Sequence, residues 1–127
     1  MRKIKKIIVH CSDSDVSSHD NIATIRKWHV EENGWRDVGY HYYYDKNGLR
    51  WKGRDETQVG SHVRGHNRDS IGLCVGGKYQ FTNIQFKKLK SDINDLLKKY
   101  NLTWNDVYGH RDFDKSKTCP NFDIRSL

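Results

Sequence analysis

Residues 40–53 read Tyr-His-Tyr-Tyr-Tyr-Asp-Lys-Asn-Gly-Leu-Arg-Trp-Lys-Gly, and this stretch decides the fold class. Two segments rich in aromatic or apolar residues, 40–45 and 49–53, flank the turn sequence Lys46-Asn47-Gly48. Asn-Gly between two such segments is a strong signal for a β-hairpin, because both residues tolerate a positive φ. The stretch therefore predicts an antiparallel strand pair in the middle of the chain.

Outward from this hairpin, strand and helix patterns alternate. β-branched and apolar runs predict strands at residues 5–10, 70–75 and 106–110. Apolar residues at helical spacing predict a helix over 22–33 that ends at Gly34, and a second helix that follows the capping-box sequence Thr82-Asn-Ile-Gln85 and runs to Tyr100. Alternation with an internal hairpin predicts an α/β fold with a mixed central β-sheet flanked by helices. A length of 127 residues suits a single domain over 1–127, with no separate binding domain expected.

The composition narrows the possible partners and compartments. The formal net charge is +7, which attracts polyanions such as nucleic acid, anionic lipid or bacterial wall polymers without choosing among them. The basic start Met-Arg-Lys-Ile-Lys-Lys precedes only three consecutive apolar residues, which is too few for a secretory signal. We therefore expect synthesis in the cytoplasm, so that another factor must release the protein to any substrate outside. No stretch is apolar enough to cross a membrane, and no membrane partner is expected.

The segment from Tyr108 to Pro120 concentrates reactive side chains, since it contains His110, Lys117 and Cys119. His10 ends the first predicted strand, and His110 ends the last, where ligands of open α/β sheets tend to bind. Two imidazoles and a thiolate are three of the four ligands of tetrahedral zinc, and catalytic sites keep the fourth position open. If these residues converge, a zinc hydrolase is predicted. Spacing alone leaves open that they are unrelated, because no compact ligand repeat is present.

The other two cysteines are weaker ligand candidates. Cys74 lies in an apolar strand pattern and is interpreted as a core residue. Cys11 directly follows His10, so on a strand the two side chains point to opposite faces. Lys117 is two residues from Cys119 and shares its face if the segment is extended, so its ammonium could stabilise an oxyanion. It could equally be a solvated loop lysine. Tyr40 is either a hydrogen-bond donor at the site or a core aromatic.

Seven stretches in order along nearly the whole chain carry a family resemblance. They are Ile8-Val-His10-Cys-Ser, Ile25-Arg-Lys-Trp-His29, Gly34-Trp-Arg-Asp-Val-Gly-Tyr40-His-Tyr, Gly53-Arg-Asp-Glu, Val59-Gly-Ser-His62, Asn67-Arg-Asp-Ser-Ile-Gly72 and Lys117-Thr-Cys-Pro-Asn-Phe-Asp123. With them the chain resembles the zinc-dependent N-acetylmuramoyl-L-alanine amidases of bacteriophage-lysozyme type, in the peptidoglycan recognition protein superfamily.

The resemblance implies that His10, His110 and Cys119 bind one Zn²⁺ ion and that Tyr40 and Lys117 serve catalysis. The implied reaction is hydrolysis of the amide between the lactyl group of N-acetylmuramic acid and L-alanine in peptidoglycan, by attack of zinc-activated water. Lys117 would stabilise the oxyanion, and Tyr40 would orient the water or help to move protons. The implied biology is that of a phage or prophage endolysin.

The Gly-rich loop 60–67 is expected to line the substrate groove, with His62, Arg64 and His66 as the substrate-binding candidates. Arg64 could bind a carboxylate of the stem peptide.

Two other functions compete with this interpretation. A non-catalytic peptidoglycan recognition module would lack the zinc-binding cysteine, whereas Cys119 is present. The net charge of +7 also suggests a regulatory protein that binds nucleic acid or a polymerase, but the sequence contains no recognisable nucleic-acid-recognition motif. We therefore expect peptidoglycan as the partner, no stable nucleic-acid partner, and a monomer.

Overall fold

Five strands form one β-sheet in the computed structural model, which describes residues 2–35 and 37–127. The strands are β1 (Lys6–Cys11), β2 (Tyr42–Tyr44), β3 (Arg50–Lys52), β4 (Ser70–Val75) and β5 (Val107–Gly109), and the α-helices are α1 (Ile22–Lys27) and α2 (Asn83–Tyr100). A π-helical turn covers Trp28–Glu32, and short 3₁₀ turns cover Ser17–His19, Trp104–Asp106, His110–Asp112 and Ile124–Ser126. Within the described ranges, no helix is both long and apolar enough to cross a membrane.

The strand order in the sheet is β3-β2-β4-β1-β5. The four strands β2, β4, β1 and β5 are parallel, and β3 pairs antiparallel with β2 at one edge. The predicted mixed sheet is confirmed, and the predicted hairpin is its only antiparallel pair among the described strands. Because β1 and β4 are parallel neighbours, their carboxyl ends lie side by side. Both strands are interior strands, so these ends lie near the centre of the sheet.

The two faces of the sheet are covered by different helices. One face carries Ile7, Val9 and Leu73, which pack against Leu89 and Ile93 of α2. On the opposite face, a smaller cluster joins Ile25 of α1 to Val38, Tyr43 and Cys74. Alternation along β1 therefore turns Ile7 and Val9 toward α2 and turns His10 toward the face of α1. Cys74 is a buried core residue, as predicted.

The helix predicted over 22–33 forms with a different geometry in its second half. Asn21 is its N-cap, and its side-chain oxygen accepts a hydrogen bond from the Thr24 N–H at 2.7 Å. After Lys27 the helix widens into the π turn, in which the Asn33 N–H bonds to the Trp28 carbonyl at 3.1 Å. Within this turn the His29 ring is buried against Trp35. Gly34 has φ +71°, as expected for the residue that ends a helix.

The hairpin turn forms where predicted, but through a different backbone conformation. Of the two residues Asn47 and Gly48, only Gly48 uses its tolerance for a positive φ, with a value of +77°. The Asp45 carboxylate supplies the reason, because it accepts hydrogen bonds from the N–H groups of Asn47 and Leu49 at 2.9 and 3.0 Å. An Asp-centred turn therefore replaces the two-residue Asn-Gly turn.

The second helix agrees with its prediction. The Gln85 N–H donates to the Thr82 hydroxyl, and the Gln85 side chain accepts from the Thr82 N–H at 2.9 Å, which forms the predicted capping box. The left-handed residue Asn101, with φ +57°, ends the helix. The α2 helix covers one face of the sheet. The buried histidines described below lie on the opposite face.

Candidate active site

A cleft of about 450 Å³ opens at the carboxyl ends of β1, β4 and β5. Its walls come from three segments that follow these strands: Cys11, Ser12 and Asp13; Lys78 and Tyr79; and His110, Ser116, Lys117, Thr118 and Cys119, with Tyr40 completing the lining. The strand ends are where the sequence analysis placed the ligand candidates, and the position agrees with the general behaviour of parallel sheets.

His10, His110 and Cys119 converge at this cleft. One potential ligand atom from each of the three residues lies within 4.8 Å of the other two. His10 is the last but one residue of β1, His110 begins the 3₁₀ turn after β5, and Cys119 lies in the following loop. His10 is buried, whereas His110 and Cys119 are half-buried and line the cleft. A cation held by the three would therefore sit at the floor of an accessible cleft.

Hydrogen bonds from backbone N–H groups connect the segments that carry His10, His110 and Cys119. The Cys11 N–H donates to the Cys119 sulfur at 3.0 Å, and the Arg111 N–H donates to the Cys119 carbonyl at 2.9 Å. The Cys11 side chain, followed by burial, raises the pKa of the Cys119 thiol. A bound dication would oppose this effect, because metals bind the thiolate. Cys119 is therefore oriented by the segments that carry the two histidines.

A second histidine supports His10 from the buried side. Nε2 of His10 lies 2.9 Å from Nδ1 of His62, and His10 is only 1% exposed. Burial, together with the neighbouring rings of His62 and His110, holds the pKa of His10 well below its usual value. Burial likewise lowers the pKa of His110, and the charge of Lys117 adds to that effect. Imidazoles held neutral in this way are in the form that binds metal.

Tyr40 and Lys117 both lie beside the cluster formed by His10, His110 and Cys119, called the ligand cluster below. The rings of Tyr40 and His10 are 4.9 Å apart between centroids. Burial raises the pKa of the Tyr40 phenol well above 10, and the nearby thiols of Cys74 and Cys119 add to the effect, so the phenol keeps its proton. Lys117 is exposed on the cleft wall, and its N–H donates to the Asp114 carbonyl at 3.0 Å.

The three predicted substrate-binding residues lie elsewhere. His62 is 9% exposed and contacts His10 from behind, so it belongs to the interior. The His66 ring packs on Phe113 at 4.2 Å between centroids, and Arg64 is exposed in the same loop. None of the three is among the described residues that line the cleft. The loop 60–67 instead places the His62 ring against Gly72 of β4 and the His66 ring against Phe113.

The cleft wall also contains residues that the sequence analysis missed. Lys78 and Tyr79 lie just after β4, and Tyr79 is 70% exposed. The Asp15 carboxylate fixes their loop by accepting from the N–H groups of Lys78, Tyr79 and Gln80 at 2.8 to 3.1 Å. The sequence could have indicated these two residues, because Gly76-Gly77 ends the buried strand β4. A loop that follows the carboxyl end of such a strand borders any site at that edge of the sheet.

Comparison with known proteins assigns a family to this architecture. The family model for N-acetylmuramoyl-L-alanine amidase matches residues 1–122. The endolysin of Enterobacteria phage T3 is 42% identical over 127 residues, covering 94% of this chain and 82% of that protein. The endolysin of Escherichia phage T7 is 41% identical over 127 residues with the same coverage.

A solved structure agrees with both the fold and the sequence relationship. The N-acetylmuramoyl-L-alanine amidase LysC from Clostridium intestinale URNW superposes with a TM-score of 0.86 at 30% identity, covering 98% of this chain and 83% of that one. The match includes the strands whose ends carry the ligand cluster. The chain thus belongs to the N-acetylmuramoyl-L-alanine amidase family and is a peptidoglycan amidase of the phage endolysin type.

Proposed function

We propose that this amidase uses one zinc ion, held by His10, His110 and Cys119, to hydrolyse the amide between the lactyl group of N-acetylmuramic acid and L-alanine. The observation that carries the proposal is the convergence of three donor atoms within 4.8 Å at the cleft floor. Two imidazoles and one thiolate suit zinc, and three protein ligands leave a position for water or substrate. The donor set therefore fits the ion that the resemblance implies.

The charge of the ligand set suits hydrolysis of an amide. When bound, zinc supplies Lewis acidity that polarises the carbonyl and makes water a nucleophile at neutral pH. Cys119 is the one anionic ligand, while His10 and His110 stay neutral because burial lowers their pKa values. The net charge of the loaded site is therefore about +1, which favours a transition state that develops negative charge on oxygen.

Lys117 supplies a second positive charge on the reacting side of the cleft. Its ammonium is close enough to His110 to lower the pKa of that ring, and Lys117 and Cys119 line the same cleft. We assign to it the stabilisation of the carbonyl oxygen as that oxygen becomes an oxyanion. A fixed cation contributes most where it faces charge that appears only in the transition state.

Tyr40 acts as a hydrogen-bond donor at the cleft floor. Its phenol keeps its proton because burial raises its pKa, and its ring is packed between His10 and His29 at 4.9 and 5.3 Å. We propose that this phenol orients the attacking water and helps to move its proton. No carboxylate is assigned as general base.

The wall formed by Lys78 and Tyr79 is proposed to contact the stem peptide. Lys78 offers a cation for peptide carboxylates, and the exposed Tyr79 ring offers an apolar surface. The net charge of +7 would likewise attract the protein electrostatically to anionic wall polymers. The protein is proposed to act as a monomer on the wall after release by another factor.

The test measures release of L-alanine-bearing stem peptides from purified peptidoglycan, together with the zinc content of the protein. We expect one zinc ion per chain, loss of release with a chelator, and recovery with added zinc. Cys119→Ala should lose both zinc and activity, whereas the matched control Cys74→Ala removes a buried strand cysteine and should keep both. Chelator-resistant release, or full zinc content in Cys119→Ala, would refute the proposed metal site.

A further inference from the structure

We propose that His62 is a positioning residue that fixes the tautomer of His10, so that His10 offers Nδ1 to the cation. The inference rests on the proposed metal function of the cleft. It replaces the expectation that His62 binds substrate. Nothing else on the buried side of the ligand cluster makes a hydrogen bond to His10 among the described contacts, which makes His62 its partner there.

A continuous line of hydrogen bonds runs from His10 into the protein interior. Nε2 of His10 is 2.9 Å from Nδ1 of His62, and Nε2 of His62 is 3.1 Å from the Ser70 hydroxyl. That hydroxyl is 2.7 Å from the backbone carbonyl of His66. The first two links are buried, so water does not compete for the same atoms.

The direction of every link follows from the last one. A carbonyl oxygen can only accept, so the Ser70 hydroxyl donates its single proton to the His66 carbonyl. The same oxygen must then accept from Nε2–H of His62. A neutral imidazole carries one N–H, so Nδ1 of His62 is an acceptor and Nε2 of His10 must donate to it. Nδ1 is then the His10 nitrogen with a free lone pair.

The neutral state of His62 that this direction requires agrees with its surroundings. Its ring is 9% exposed, contacts the rings of His10 and His41, and has only potential cations as charged neighbours, namely His110, Arg2 and Arg54. Burial and these neighbours disfavour the imidazolium form. Among the described contacts, no carboxylate forms a hydrogen bond with this ring.

Two glycines leave the space that the His62 ring occupies. A Cβ on Gly72 would lie 2.7 Å from Cγ and 2.8 Å from Nδ1 of His62, and a Cβ on Gly60 would lie 2.8 Å from Cδ2. Neither glycine has a positive φ, so close approach and not backbone conformation explains them. Gly72 is in the middle of β4, directly beside Ile8 of β1.

The backbone of His62 is fixed as firmly as its ring. The Asn67 side-chain oxygen accepts from the N–H groups of His62 and Val63 at 2.9 and 2.8 Å. The loop 60–67 is thus folded around Asn67 in a way that directs His62 inward. These contacts hold the acceptor atom of His62 at one position behind His10.

The chemistry of the acceptor also affects the site. Metal-bound histidines usually donate their second N–H to a partner that fixes the ring, and loss of such a partner costs about 10- to 100-fold in metal affinity. A carboxylate partner would add negative charge, whereas neutral His62 orients His10 without it. The ligand set therefore keeps Cys119 as its one anion, and its electrophilic character is preserved.

The test compares three substitutions of His62 by zinc affinity, measured by competition with a chromophoric chelator. Asparagine keeps an acceptor near the position of Nδ1, whereas alanine removes it and glutamine moves its polar group toward the position of Nε2. We expect His62→Ala and His62→Gln to bind zinc about 10- to 100-fold more weakly. His62→Asn should stay within a few-fold of the wild type. The control His66→Gln removes a histidine of the same loop but keeps the carbonyl, and should bind zinc normally.

A second measurement reads the tautomers directly and does not need the metal. Nitrogen-15 chemical shifts of the histidine rings in chelator-treated wild type should show Nε2–H on both His10 and His62. A proton on Nδ1 of His10, or zinc affinity of His62→Ala equal to that of the wild type, would overturn the inference. Wild type that binds no zinc would instead refute the proposed metal site, while the ring shifts would still decide the tautomers.

Discussion

Acid should destabilise this protein through its buried histidines, and His41 provides the sharpest test. The ring is 0% exposed; Nδ1 accepts from the Gly72 N–H at 3.0 Å, and Nε2 donates to the Gln58 carbonyl at 2.8 Å. Burial lowers the pKa of His41 from 6.5 to about 4, and the nearby charge of Arg2 contributes. The unfolded chain therefore takes up a proton on His41 at a pH where the folded chain does not.

The sign and size of the effect follow from this difference. Well above pH 6.5 both states are neutral at His41, so the residue gives little pH dependence there. As the pH falls from 6.5 to about 4, the unfolded state gains a proton first and the free energy of unfolding decreases. The two pKa values differ by about 2.5, which corresponds to about 3 kcal/mol in total. At pH 5 the loss from His41 alone is about 2 kcal/mol relative to pH 7.

Urea unfolding followed by tryptophan fluorescence measures this loss, with chelator present so that metal release does not contribute. The wild type and His41→Gln are compared at pH 8, 7 and 5. Glutamine keeps a donor and an acceptor but does not titrate, so the variant should lose about 2 kcal/mol less than the wild type between pH 7 and 5. Between pH 8 and 7 the two proteins should change in parallel. An equal acid loss in both proteins would refute the reasoning, whatever the stability of the variant at pH 7.

Three further substitutions separate turnover from stability. Lys117→Met should lower kcat about 10²-fold with zinc content unchanged, because it removes the proposed oxyanion partner; full turnover would make Lys117 an ordinary loop lysine. Tyr40→Phe keeps the ring against His10 but loses the donor, and release of stem peptides should also fall about 10²-fold with the unfolding midpoint preserved; unchanged release would remove the phenol from the mechanism. Thr82→Ala deletes the helix cap and should lower the free energy of unfolding by about 1 kcal/mol in urea titrations without affecting zinc affinity; an unchanged midpoint would mean that the cap adds nothing.

Sequence patterns predicted the elements whose signal is local. The strand at Ser70–Val75 and the helix capped by Thr82 appear with the predicted bounds or within a residue of them, because apolar periodicity and a capping box act over a few residues. The hairpin formed where it was predicted. Its turn is set by the Asp45 carboxylate, and propensity for positive φ at Asn47 could not anticipate that competition.

The site was predictable where it depends on strand ends and not where it depends on strand order. His10 lies one residue before the end of β1 and His110 directly follows β5, so the predicted strand ends indicated the correct edge of the sheet. Their convergence also required β1 and β5 to be neighbours, which the sequence did not show. His62 was assigned to the groove because its loop is rich in glycine. Its actual position depends on Gly72, which lies ten residues away on another element and leaves room for the ring. Lys78 and Tyr79 border the cleft only because β4 lies beside β1.

The expected acid sensitivity of the fold and the proposed metal site have the same physical origin, which is the burial of histidine rings. A histidine binds metal only when neutral, and burial makes His10 and His62 neutral at a pH where an exposed imidazole begins to take up protons. The same burial makes each of these rings a source of instability once the unfolded chain can be protonated. Exposing the rings would relieve the acid sensitivity, but protons would then compete with the cation at higher pH. A cation bound only to the folded state would add stability to this packing. Holding the histidines neutral under the sheet therefore trades stability in acid for imidazoles that the proposed metal site could use at neutral pH.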